Sequence, residues 1–190
     1  MPEGWVAGVV SQLGALGIFA LMVPESACIP VPSELTLMYA GFAVTRGWIG
    51  LPLAVAAGVC GNLVGSLIAY ALGRWSLRVR LRGPAARGVA RADELLARHG
   101  RRAVFLARLM PLARTFISLP AGRAGVPVAP FVVLTIAGCA IWGLGFELAG
   151  MAAGARWSRV GPEIGNALLA ATLVGIAAAV AIRARRRGIG

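Results

Sequence analysis

Four charged residues placed inside apolar, proline-broken sequence are the groups that could do chemistry. Glu25 and Glu34 lie among Pro24, Pro30 and Pro32, while Arg108 and Arg114 flank Pro111, with Pro120-Ala121-Gly122 just beyond. An arginine fork makes paired, charge-assisted hydrogen bonds to a phosphate-type anion and stays protonated. A carboxyl that passes between an apolar setting and the neighbourhood of an arginine gains and loses a proton. On an unbroken helix Arg108 and Arg114 would point about 120° apart; Pro111, midway, lets the two heads converge. Arg108 and Arg114 are therefore the anion-binding candidates, and Glu25 and Glu34 the proton-exchanging or ion-pairing candidates. Glu34, which follows Pro32, is the expected arginine partner. The same Glu–Arg pairs could instead serve to pin two segments together, because a buried charge without its partner is costly.

Such charges need a reason to be where they are. A charge near a bilayer midplane costs about 2.5–3.5 kcal/mol on insertion scales. Broken backbone is tolerated at that depth only where it is buried in protein or lines a wet cavity. Secondary candidates are Glu147, inside an apolar span, where it either faces the cavity or pairs with an arginine, and Ser66, Tyr70 and Arg74. Arg74 also reads as the cytoplasmic end of its span, and Tyr70 as a packing or interfacial residue. Trp142 is deeper and reads as structural.

The elements that must position these groups are helices in a membrane. The 190 residues are 58% hydrophobic and 14% charged, against about 25% charged in a soluble domain, and the mean hydropathy is +0.80. The net charge of +12 comes with 19 basic residues, all arginine; nine fall between Arg74 and Arg102, and four more lie between Arg183 and Arg187. Basic loops of this kind sit in the cytoplasm beside anionic headgroups, which excludes a nucleic-acid reading. An apolar run over 5–23 reads as a retained helix rather than a cleaved leader. A proline-broken segment over 24–48 reads as a re-entrant hairpin. Residues 51–73 form a span with Gly58, Gly61 and Gly65 on one close-packing face. Residues 76–102 make a cytoplasmic connection with an amphipathic helix. A second re-entrant hairpin covers 103–125, and further spans cover 130–154 and 162–182. The arginine distribution puts both termini in the cytoplasm.

The chain thus reads as a single membrane domain over 1–190, an all-α polytopic protein with two repeat halves, about 5–75 and 103–157. Each half runs from a broken charged segment to an Ala-Gly pair (Ala40-Gly41, Ala121-Gly122), a Gly-rich span, and Gly73-Arg74-Trp75 or Ala155-Arg156-Trp157. With the two hairpins entering from opposite faces, this is the inverted-repeat pattern of secondary transporters.

Three strings carry a family resemblance. Glu25 with Pro30-Val31-Pro32-Ser33-Glu34, Gly65-Ser66 through Tyr70 to Gly73-Arg74, and Arg108-Leu109-Met110-Pro111-Leu112-Ala113-Arg114-Thr115-Phe116 through Pro120-Ala121-Gly122 resemble the DedA family, the bacterial branch of the VTT-domain (SNARE-associated Golgi) membrane proteins. The resemblance covers roughly residues 10–180. It implies an inner-membrane lipid transporter that moves undecaprenyl phosphate or a glycerophospholipid, with proton coupling, its functional acids at Glu25 and Glu34 and its paired arginines at Arg108 and Arg114. Many members carry an aspartate where this chain has Ser66, so a scheme that needs a third carboxylate does not transfer.

Rival readings use the same residues. A transporter of small ions or anions could use the same Glu/Arg site, and a non-transporting protein of envelope integrity needs only the fold. An enzyme is not expected, since His99 is the sole histidine and sits in the polar loop, remote in sequence from both hairpins. Cys28, Cys60 and Cys139 are scattered and expected to pack as small hydrophobes. No metal or cofactor is expected, and the partners are membrane lipids.

Overall fold

In the computed structural model, the residues described are 2–27, 31–75, 96–100, 102–110 and 113–154. Within them the fold is helical: α1 (Pro2–Leu13), α2 (Ala15–Ser26), α3 (Ser33–Thr45), α4 (Leu51–Trp75), α5 (Arg102–Arg108), α6 (Ala113–Phe116), α7 (Ser118–Arg123) and α8 (Val128–Ala153). The chain between 76 and 95, which holds most of the expected amphipathic helix, lies outside the described residues, as does everything after Gly154, including the span expected over 162–182.

The two long helices match the expected spans. α4 and α8 have 25 and 26 residues with mean hydropathy 1.8 and 2.0, long and apolar enough to cross a membrane. Their outward faces carry Leu53, Ile68 and Leu72 on α4 and Val133, Ile141 and Leu148 on α8, all exposed. An apolar surface of that extent suits lipid rather than water.

The first apolar run departs from the sequence expectation. Instead of one helix over 5–23, the chain folds back at Gly14, whose φ of 54° with ψ of −126° only glycine adopts easily. α1 then lies against α2, with Gly17 facing the Val9 carbonyl oxygen. The next boundary also shifts. α2 continues through Pro24 to Ser26, so the break falls after residue 26 rather than at 24. Pro24 sits in the last turn, where losing one N–H interrupts little of the helix.

Glycines let the remaining helices cross backbone on backbone. Gly61 and Gly65 of α4 meet the Phe19 and Val23 carbonyl oxygens of α2, as the expected glycine face requires. At the other end of α4, Gly73 meets the Leu119 carbonyl and Gly122 of α7 meets the Tyr70 carbonyl. On α8, Gly150 meets the Met38 carbonyl while Gly41 of α3 meets the Glu147 carbonyl. One core forms around Ile18, Met22, Leu37 and Ala40, and a second around Tyr70, Val104, Ala121 and Phe131.

Candidate functional site

The charged cluster forms where the end of α2, the start of α3 and the short helices α6 and α7 meet between α4 and α8. Ending α2 at Ser26 leaves Glu25 in its last turn, aimed at α6. There Arg114 Nη2 lies 3.1 Å from Glu25 Oε2, with both side chains 4% exposed. Thr115 Oγ1 donates to Glu25 Oε1 at 3.1 Å. Two serines complete the cage. Ser26 Oγ is 3.0 Å from Glu25 Oε2 and 2.5 Å from Asn62 Oδ1 on α4. Ser33 Oγ is 3.4 Å from Glu25 Oε1 and 3.3 Å from Glu34 Oε2. A hydroxyl has one proton to give, so each serine shares its proton between two acceptors.

The arginine partner is therefore Glu25, and the expectation that it would be Glu34 is corrected. Glu34 sits in the first turn of α3, half-buried, where the helix N-terminus suits a carboxylate. Among the described residues it joins the site through Ser33.

The two arginines do converge, in different roles. Arg108 ends α5 and is almost fully buried. Its Nη1 donates to the Arg114 carbonyl at 2.8 Å, and its Nη2 donates to Ser118 at 2.7 Å and Thr135 at 3.3 Å. Arg108 thus braces the loop that carries Arg114, tying α5, α6, α7 and α8 together. Arg114 faces Glu25 and also stacks 5.0 Å over the Trp142 ring, a contact that holds the guanidinium plane.

The other candidates fall elsewhere. Tyr70 donates its hydroxyl to the Val126 carbonyl and packs 4.7 Å from Phe131. The exposed Arg74 reaches the Tyr70 hydroxyl at 3.3 Å. Ser66 is fully buried, and its Oγ has no hydrogen-bond partner among the described residues. Glu147 is fully buried on α8 and meets no arginine among the described residues. His99 is exposed beside Arg98 and Arg102. Cys139 is buried as expected, but Cys60 is exposed on the outer side of α4, and Cys28 lies outside the described residues. No group of histidine, cysteine and acidic residues that could hold a metal occurs among the described residues.

Sequence reasoning missed Ser26, Ser33, Asn62, Thr115, Ser118, Thr135 and the stacking of Trp142. One signal was available: Asn62 and Thr135 are polar residues inside otherwise apolar spans, and such residues usually face a polar interior.

A helical membrane fold with a buried acid–arginine cluster between short broken helices defines the class: a polytopic membrane protein with an internal polar site. The VTT domain family model matches residues 31–152, and the chain belongs to that family. It is 31% identical over 163 residues to a Lactococcus lactis protein named alkaline phosphatase-like protein, covering 80% of this chain and 76% of that one. It is 33% identical over 136 residues to undecaprenyl phosphate transporter A of Bacillus subtilis, covering 68% and 69%. It is 35% identical over 184 residues to a Mycobacterium bovis protein named uncharacterized membrane protein Mb2670, covering 90% and 83%. No solved structure matches the chain.

Proposed function

We propose that this protein carries a phosphate-bearing lipid across the cytoplasmic membrane, with undecaprenyl phosphate as the first candidate and a glycerophospholipid as the second. The observation that carries this reading is the buried Arg114–Glu25 pair. A carboxylate and a phosphate present the same acceptor geometry to a guanidinium, so Glu25 holds the place that a lipid phosphate takes. When phosphate reaches Arg114, Glu25 is released, takes up a proton from water in the cavity, and becomes neutral. When phosphate leaves, Glu25 loses that proton and re-forms the pair. Ser33 lets Glu34 share in the exchange. Arg108, already bonded to the Arg114 carbonyl, keeps Arg114 in place and adds positive charge beneath the phosphate. The names of the Bacillus subtilis and Staphylococcus aureus relatives, 33% and 27% identical, favour undecaprenyl phosphate.

The architecture that goes with this reading is a pair of re-entrant hairpins, one from each face, with both termini in the cytoplasm. Its support is the reciprocity of the glycine crossings. Met38 and Gly41 engage Glu147 and Gly150, while Leu119 and Gly122 engage Tyr70 and Gly73, with the same three-residue spacing in every member. The two sets stand about 80 residues apart in the sequence, as an inverted repeat requires.

The test is reconstitution of the whole chain into vesicles that carry labelled undecaprenyl phosphate. A membrane-impermeant reagent reads how much headgroup becomes accessible with time. Headgroup movement in wild type and none in Arg114→Glu supports the reading. Ion flux without lipid movement identifies a small-anion transporter, release of inorganic phosphate identifies an enzyme, and none of the three identifies a structural envelope protein; each of these outcomes rejects it.

A further inference from the structure

Glu147 is not part of the Glu25 cluster, yet it is placed as if it had a purpose. It lies six residues before the end of α8 with 0% exposure, and neither carboxyl oxygen has a hydrogen-bond partner among the described residues. The pocket around it is apolar. A Cβ added at Gly58 of α4 would come 3.8 Å from Glu147 Oε1, 3.2 Å from a Leu37 methyl of α3 and 3.9 Å from an Ile18 methyl of α2. Gly58 thus borders the carboxyl at ordinary contact distance, and the closest approach there is to Leu37.

The ionisable groups on the surrounding helices are committed or turned elsewhere. On α2, Glu25 is engaged by Arg114 and Thr115. On α3, Glu34 bonds Ser33, and the Tyr39 ring packs 5.6 Å from Phe42. On α4, Cys60 is exposed, Tyr70 donates to Val126, and Arg74 turns to Tyr70. On α5, which also packs against α8, Arg102 is exposed and Arg108 turns to the Arg114 carbonyl, Ser118 and Thr135, and Cys139 shares α8 two turns earlier. None of them supplies a hydrogen bond to Glu147. The residue also marks a crossing point, because its own carbonyl oxygen is where Gly41 of α3 touches α8.

We propose that Glu147 is a proton-binding site, separate from the Glu25–Arg114 pair, whose occupancy sets how closely α3 lies on α8. An ionised carboxylate in an apolar pocket with no donor is very costly, whereas the neutral carboxyl is tolerated. With its proton on, Glu147 keeps the crossing closed. Giving that proton to water leaves an anion that only water can solvate, and water reaches it when α3 lifts from α8. Because α3 begins at Ser33, the same movement draws Ser33 away from Glu25. The proposal requires the membrane fold alone and does not depend on which cargo moves.

The experiment uses the full chain in vesicles of neutral phospholipid and follows its carboxyl groups by infrared absorption, which needs no reagent to enter the closed pocket. The protonated-carboxyl C=O band that Glu147→Gln removes from the wild-type spectrum should fall about tenfold or more between about pH 6 and about pH 9. Over the same range, amide exchange in the α3 segment Leu37–Gly41, corrected for intrinsic rates, should accelerate several-fold in wild type and stay flat in Glu147→Gln. The absence, at every pH, of a protonated-carboxyl band that Glu147→Gln removes overturns the proposal, and so does an α3 exchange rate that is the same in wild type and variant. Neither readout involves transport, so failure of the lipid reading would leave both intact.

Discussion

Glu25 and Glu147 are two buried glutamates in one membrane fold, and they are treated in opposite ways. Glu25 stands in a cage of Arg114, Thr115, Ser26 and Ser33, backed by Asn62. Glu147 stands among Leu37, Ile18 and the bare backbone of Gly58. The first setting surrounds a carboxylate with donors, as the proposed anion exchange needs. The second offers a carboxylate no donor, which is why we proposed it as a proton site. The donors within reach separate the two: those around Glu25 come from the breaks between short helices, whereas Glu147 lies within a long one.

The sharpest way to break the comparison is to strip Glu25 of its partner. Arg114→Ala should abolish transport and lower stability by about 3–5 kcal/mol, because an uncompensated charge remains buried. Thermal unfolding in detergent alongside the vesicle assay would measure both. The neutral pair Arg114→Gln with Glu25→Gln should recover much of the stability and none of the transport. Arg108→Ala comes next, at about 2–4 kcal/mol. It removes charge-assisted hydrogen bonds to the Arg114 carbonyl, Ser118 and Thr135, which are worth about 1.5–3 kcal/mol each before any relaxation.

Glycine substitutions probe the crossings that place the two acids. Gly41→Ala and Gly122→Ala would set a methyl on a facing backbone oxygen and should each cost about 1–3 kcal/mol by unfolding midpoint. Gly145→Ala on α8 meets open space and should be neutral, or stabilising by up to about 1 kcal/mol. Equal effects at Gly41 and Gly145 would remove the case for backbone contact.

The smallest expected effect inverts the sign. Glu147→Leu replaces an unpartnered carboxyl with an apolar group and should leave stability unchanged or raise it by about 1 kcal/mol. Glu25→Leu, which strands Arg114, should destabilise the protein. If both leucine variants lost stability alike, the distinction between the two sites would not hold.

Much of this arrangement was legible in the sequence, because membranes leave few ways to satisfy a charge. The spans α4 and α8, the glycine face at Gly61 and Gly65, and the meeting of the arginine segment with an acid all follow from apolar length, small-residue spacing and the cost of burying charge. What could not be read was which acid would pair. That depends on α2 running through Pro24, so that Glu25 ends a helix while Glu34 begins one, and a proline near a helix terminus does not announce on which side the chain will break. The fold-back at Gly14 was hidden for a similar reason: one glycine inside an apolar run is also compatible with an unbroken helix. The bracing role of Arg108 depends on Ser118 and Thr135, which meet it from two other helices.

The glycine crossings have a consequence for how the protein is made. α3, from the first half of the chain, rests on α8 from the second, and α7, from the second half, rests on α4 from the first. Each half fastens its short helix to its counterpart, like two hands clasped at the wrists. A nascent chain that has emerged only as far as α4 must keep α3 waiting for a surface that the ribosome has not yet delivered. Two separately expressed halves should consequently be unstable alone and assemble when made in the same cell.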